Sequence, residues 1–186
     1  QWHDYLLNSG VEIDENWLHY DNGIFETSIG GPESFYWGVM FPAAILQQHS
    51  GDMLSKISVY DNTSDTPELL VYYGGDYAPE VLVHTQTFEL TGSNSVVEID
   101  LTSSLPIDRN ENLWIVLFSN NGTDYPAAAC SNTGDPNGRW ISMDGTTWED
   151  IVDYELEFTW MIRAYVSDES GSAVAELKSI DDYEYK

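Results

Sequence analysis

Positive charge is scarce in this chain: 6 Lys+Arg stand against 32 Asp+Glu over 186 residues, a formal net charge of -26 at pH 7. So few cations leave little to exchange for the counterions condensed on a nucleic-acid backbone, which excludes nucleic acid as a partner. Anionic membrane surfaces are disfavoured on the same ground. Cys130 is the single cysteine, so no intrachain disulfide can form. At this length one core buries roughly two-thirds of the unfolded chain's surface, and folding needs no staple. Long apolar runs are also missing. The longest, Leu113-Trp114-Ile115-Val116-Leu117-Phe118, is far too short to span a bilayer, so no membrane insertion is expected. Helical periodicity is nearly absent; one short turn, Pro42 to Gln48, is the only helix expected, with Pro42 at a first helical position.

What the chain has in quantity is acid and aromatic side chains. Aromatics make up 13% of residues, with 7 Trp and 12 Tyr, a composition that disordered chains lack. The acidic coat therefore sits on a folded domain. It repels itself, and a bound divalent cation would relieve that repulsion, with oxygen-rich loops as the natural calcium ligands.

Alternating runs predict strands. They cover Leu54 to Tyr60, Leu69 to Tyr73, Val81 to Leu90, and the stretch holding Val97, Ile99 and Leu101. Leu113 to Phe118 reads as a strand buried on both faces. Phe158, Trp160, Ile162, Ala164 and Val166 form one face of a long strand, opposite Thr159, Met161, Arg163 and Tyr165. Gly, Asn, Asp and Pro clusters separate these runs at sandwich spacing. The expected fold is all-β, a two-sheet β-sandwich of jelly-roll type. The module is expected over residues 1–167. Residues 168–186, starting Asp-Glu-Ser-Gly-Ser-Ala, read as a linker and the start of a following module. The first residues do not resemble a signal peptide, and the expectation is a piece of a longer polypeptide with neighbouring modules as partners.

Catalytic signals are thin. Glu155 and Glu157, two apart on an expected strand, would share a face as glycosidase carboxylates do. Glu12 to Glu15 and Glu98 to Asp100 only partly echo the motif of laminarinase-like enzymes. Cys130 lies far in sequence from all four histidines, and a thiol nucleophile needs a base. The histidines lack paired zinc spacing. Ser142 to Trp148 contains Asp144-Gly145 between strand-like segments, a hairpin signal with Trp140 and Trp148 packing across it. It resembles the Asp-box of sialidases, one residue shorter, and is read as structural.

Calcium candidates are Asp21 and Asn22, Asp61 and Asp65, and Asp135, each in a loop that turn chemistry also explains. Sugar-stacking candidates are aromatics at strand ends and loops, Tyr72, Tyr73, Tyr77, Tyr125, Trp140 and Trp148, the last four foremost.

Four segments taken in order carry a resemblance: Trp17 to Gly23, Tyr36 to Pro42, Trp140 to Gly145 and Phe158 to Val166. Together they resemble the cleaved-adhesin (haemagglutinin) modules attached to gingipain-type proteases of secreted Bacteroidetes surface proteins. The resemblance implies a jelly-roll sandwich, structural calcium, and adhesion to a host protein or glycan at the cell surface or after secretion. Those modules often carry an Asp-rich loop near their start; here that region offers Asp21-Asn22-Gly23. The function expected is a non-catalytic adhesion or binding module. The alternative is a carbohydrate-binding module with exposed Trp and Tyr; a structural spacer and a glycoside hydrolase stand further back.

Overall fold

The computed structural model describes residues 12–14, 16–31, 33–120 and 125–168. Its first strands are β1 (Glu12–Asp14), β2 (Trp17–His19), β3 (Thr27–Ile29) and β4 (Phe35–Phe41). After the short helix α1 (Ala43–Leu46) come β5 (Asp52–Asp61), β6 (Ser64–Asp65), β7 (Glu68–Tyr73) and β8 (Val81–Thr87). Then follow β9 (Leu90–Thr91), β10 (Ser95–Pro106), β11 (Leu113–Ser119) and β12 (Ala127–Ser131). The last are β13 (Trp140–Ser142), β14 (Glu149–Asp150), β15 (Phe158–Trp160) and β16 (Ile162–Asp168). The expected linker and following module lie, from residue 169 on, outside the described residues.

Two antiparallel sheets make the expected sandwich. One has five strands in the order β1-β2-β16-β5-β10, the other six in the order β14-β13-β4-β11-β7-β8. A smaller sheet, β15-β12-β3, and the pair β6-β9 complete it.

Alternation decides which side chains face inward, because successive residues of a strand point to opposite faces. From the five-stranded sheet, Leu18, Leu54, Ile57, Ile162, Ala164 and Val166 are fully buried. From the other sheet, Val39, Phe41, Leu69, Val71, Leu113 and Ile115 meet them in one core. Register keeps this face continuous: Trp37 sits opposite Leu117, Val39 opposite Ile115 and Phe41 opposite Leu113. On the other flank of β11, Ile115 lies opposite Val71 and Leu117 opposite Leu69.

The long strand expected over Phe158 to Val166 is two strands in two sheets. Trp160 pairs with Ala129 of β12, then Ile162 pairs with Val59 of β5. Between them the Met161 amide donates to the Ala128 carbonyl at 3.0 Å, which steps the chain from one sheet to the other. Met161 is therefore buried, although a single alternating strand would expose it. The expected helix is shorter than the turn read from sequence. Pro42, at φ -60°, is its N-cap and precedes the first helical residue, and a 3-10 turn continues it over Gln47–His49.

Gly38 sets how closely β4 and β11 approach. A Cβ there would lie 2.7 Å from the Ile115 carbonyl oxygen and 3.0 Å from a Val116 methyl carbon. The obstacle is backbone in the middle of a sheet, which cannot rotate away. We predict that Gly38→Ala lowers unfolding stability by about 1–3 kcal/mol, the range for overpacking a close-packed interior. Denaturant unfolding checks this; an unchanged midpoint would mean that the strands separate freely.

Candidate ligand-binding face

The six-stranded sheet is apolar on both sides. While Trp37, Val39 and Phe41 face the core, their neighbours Tyr36, Gly38 and Met40 point outward. On β11 the outward residues are Trp114, Val116 and Phe118, and on β7 they are Leu70 and Tyr72. These side chains form a second cluster around Trp114 and Val116, both fully buried, with Trp148 closing over them at 9% exposed. Tyr36, Tyr72, Phe118 and Trp140 pack against it half-buried.

The rings form a row. Phe118 lies 4.5 Å from Tyr36, Tyr36 lies 6.3 Å from Trp148, Trp148 lies 5.7 Å from Trp114, and Trp114 lies 5.3 Å from Trp140. All four pairs are tilted, Phe118 and Tyr36 by 31° and the other three by 51–59°, away from the disfavoured face-to-face sandwich.

Two loops frame the row. Residues 74–80 turn over Trp114, whose indole Nε1 donates to the Gly75 carbonyl at 3.0 Å. Gly75 sits at φ +84°, and a Cβ there would come within 1.8 Å of the Ala78 carbonyl oxygen, so only glycine closes this loop. The second loop, 143–148, is the Asp-Gly feature singled out in the sequence. It joins β13 to β14 as a hairpin, with Trp140 opposite Asp150 and Ile141 opposite Glu149. Its polar residues hold it: the Ser142 hydroxyl accepts from the Gly145 amide at 2.9 Å, and Asp144 accepts from the Thr146 and Thr147 amides, both at 2.7 Å. Those amides, Thr147 first, hold the Asp144 carboxyl well below the usual range. Trp140 and Trp148 each pack on Trp114.

Polar groups converge on the same face. Burial, with Tyr36 and Glu68 nearby, pushes the Tyr72 phenol above its ordinary value. Glu68 also accepts from the Thr85 hydroxyl at 2.6 Å. Apolar ring faces beside phenol hydroxyls and a carboxylate are what a binding site for a sugar needs: stacking surface plus a few polar groups to fix orientation.

The sequence candidates divide over several places. Trp140 and Trp148 stand on this face, and Ala78, next to the 79%-exposed Tyr77, packs against it. Tyr125 is exposed elsewhere, its carbonyl accepting from Asn62 just beyond β5. Sequence reasoning missed Tyr36, Trp114 and Phe118. The double-faced reading of Leu113 to Phe118 held the signal for two of them, but not for what covers the outer face.

The calcium candidates make contacts within the protein itself. Asp21 is fully buried and grips Arg163 with both oxygens, at 2.6 Å to Nη2 and 3.0 Å to Nε. His19, also buried, approaches the Asp21 carbonyl through Nδ1 at 2.9 Å. The Asn22 side chain accepts from the Ile24 amide, and Asp65 accepts from the Ser119 hydroxyl. Burial pushes the Asp135 carboxyl up, and its side chain caps the 3-10 turn at Asn137. Among the described residues, no group of three His, Cys, Asp or Glu is placed to hold a metal ion.

The glycosidase carboxylates lie elsewhere than the sequence suggested. Glu155 has φ +62° and ends a 3-10 turn, so Glu155 and Glu157 share no strand face. Glu98 and Asp100 flank Lys56 at 3.1 and 3.9 Å. Cys130 is fully buried, and burial raises its thiol.

No protein family matches the chain, and no curated protein matches it. Among the solved structures that share its fold are two of one clostridial protein. One holds the cysteine protease and lectin-like domains of Cwp84, a surface layer associated protein of Clostridium difficile; it is 14% identical, with a TM-score of 0.52, over 74% of this chain and 33% of that one. The other is the clostridial cysteine protease Cwp84 after propeptide cleavage, 14% identical with a TM-score of 0.54, over 85% of this chain and 42% of that one. The chain thus spans well under half the length of either.

Asp61, at the end of β5, contributes to the pH dependence of this framework. Its buried carboxylate accepts from the amides of Thr91, Gly92 and Ser93 at 3.1, 2.7 and 3.1 Å and from the Thr91 hydroxyl at 3.0 Å. Burial opposes its ionisation, but the donors from Ser93, Gly92 and Thr91 outweigh it and bring the carboxyl from 3.8 down to about 2. The unfolded chain then binds the proton more tightly than the folded one. This stabilisation is complete above about pH 4 and is lost as pH falls towards about 2. Asp61→Asn should cost about 1.5–3 kcal/mol at pH 7, the range for hydrogen bonds to a charged group. Denaturant unfolding across pH 7 to about 2 should show its acid limb flatter than that of the parent chain; parallel curves would contradict this role.

Proposed function

We propose that the chain is a non-catalytic binding module of a larger secreted or cell-surface protein, and that a glycan is its ligand. The outer face of the six-stranded sheet is the binding surface. The observation that carries this reading is the row of rings from Phe118 to Trp140, half-buried at its ends and bordered by the Tyr36 and Tyr72 phenols and Glu68. A sheet with an apolar outer face exposes a surface that water disfavours, and such patches mark interaction sites.

Three further points support it. A solved structure of the same fold contains a lectin-like domain and belongs to a surface layer associated protein. The buried thiol of Cys130 is held protonated, away from the thiolate that nucleophilic chemistry requires. The carboxylates most suggestive of glycosidase chemistry lie on a turn end or against Lys56. Adhesion to a host protein, which the cleaved-adhesin resemblance also implied, is a separate alternative to this glycan reading.

A glycan-array screen of the isolated chain tests it. Binding should concentrate on one class of polysaccharide. Trp140→Ala and Tyr36→Ala should each weaken it by about tenfold or more, equivalent to about 1.4 kcal/mol. Tyr125→Ala should leave it unchanged. Failure to bind any glycan, or binding indifferent to both face variants while their melting curves stay cooperative, would overturn the proposal.

A further inference from the structure

Edge strands of a sheet present unpaired backbone groups to any extended chain, and folded proteins protect them with charge, proline, bulges or brevity. The two main sheets end on four strands. β1 has three residues and β14 two, too short to template a partner. β10 has twelve, but carries Glu98 and Asp100 against Lys56 and breaks register between Asp100 and Leu105. β8 is different. It has seven residues, Val-Leu-Val-His-Thr-Gln-Thr, without a charged residue or a proline. Val81, Leu82 and Val83 are 58%, 48% and 39% exposed, three consecutive aliphatic side chains in water. Among the described residues, its protection is a register shift opposite Val71 and Tyr72 and, at its far end, the contact of Gln86 with β10, which leaves Val81 to Val83 uncovered.

β8 is also held in place. The Gln86 side chain donates to the Asp100 carbonyl at 3.1 Å and accepts from the Thr102 amide at 2.8 Å, tying the edge of one sheet to the edge of the other. His84 Nε2 lies 2.9 Å from the same amide oxygen of Gln86. An edge fixed in this way keeps its pairing geometry without a partner, which lowers the ordering cost of binding.

Charge decides the occupant. Glu80 and Glu89 bracket the strand, and Glu68 stands on the neighbouring β7, opposite Thr87. At the Val81 end, Glu80 and Glu111 converge beside Gly74, within 3.1 and 3.4 Å of where a Cβ would lie. None of the Lys or Arg residues lies on β7 or β8. A second copy of this chain would bring another net -26 to the same edge, and like charge opposes that docking. We propose that β8 is a strand-addition site for an extended, positively charged segment of a partner protein. The partner's backbone continues the six-stranded sheet, its aliphatic residues cover Val81 to Val83, and its cations meet the bracketing glutamates. This site adjoins the proposed glycan face, sharing Glu68 and the Tyr72–Leu82 pair with it, but needs no glycan to be bound there.

The probe is an N-acetylated, C-amidated eight-residue peptide in which lysine alternates with valine and threonine, titrated into the isotope-labelled chain and followed by NMR. A second peptide of equal charge, with proline at every second position, cannot form a ladder. The first should shift the amides of Val81–Thr87 and slow their hydrogen exchange, with affinity falling as salt rises to about 0.5 M. The second should bind at least about tenfold more weakly. A Val81→Lys, Val83→Lys variant, confirmed folded by its melting curve, should lose about tenfold in affinity for the first peptide. Equal binding of the two peptides, no binding of either, changes confined to other strands, or self-association of the chain through β8 in preference to the peptide would each overturn the proposal.

Discussion

The rest of this structure depends on β11 being buried on both faces. Leu113, Ile115 and Leu117 close the sandwich core, while Trp114 and Val116, on the opposite face, are equally buried. A strand in that position requires its sheet to be covered twice, once by the other sheet and once by something else. The covering is made by the 74–80 loop and the 143–148 hairpin, and it is incomplete. Trp148 and the Gly75 carbonyl seal Trp114, yet Tyr36, Tyr72, Phe118 and Trp140 stay half-buried around it. The incomplete second layer is the feature from which the functional reading follows.

Acidity shapes the same molecule differently. Of the few cations, Arg163 is committed to buried Asp21, Arg139 to Asp150 at 2.8 Å, and Lys56 to Glu98. These pairs lock particular loops and strands, leaving most carboxylates facing solvent. Asp21 and Asp61 show how a carboxylate beside a polar turn becomes structural: one anchors an arginine and the other three backbone amides. Both occupy sequence contexts that also suit calcium, since oxygen-rich turns satisfy their own backbone or a metal with the same residues.

How much of this was legible in the sequence varied with the range of the interaction. Alternation placed the half-buried strands, because inside and outside are written two residues apart, and the unbroken apolar run of Leu113 to Phe118 signalled burial on both faces. It failed at Met161, where the chain changes sheet without losing its pattern; the partners Ala129 and Val59 lie elsewhere in the sequence. The Asp21 to Arg163 pair spans 142 residues, and no local signal announces it. Glu155 looked like a strand residue beside Glu157, yet its positive φ ends a turn. For the candidate face, Trp140 and Trp148 were recognisable, but their convergence on Trp114 and Tyr36 depends on register across β13, β4 and β11. The exposure of β8 is a matter of strand order, which composition does not encode.

The central claim is that the outer aromatic face takes a ligand. The indole N–H resonances of the tryptophans report on it directly, since Trp140, Trp148 and Trp114 lie on that face and Trp37 and Trp160 in the core. In a titration with a soluble oligosaccharide that the chain binds, the account predicts that the Trp140 and Trp148 indole signals move together while those of Trp37 and Trp160 stay fixed. Saturable binding that leaves the Trp140 and Trp148 signals unmoved would contradict it.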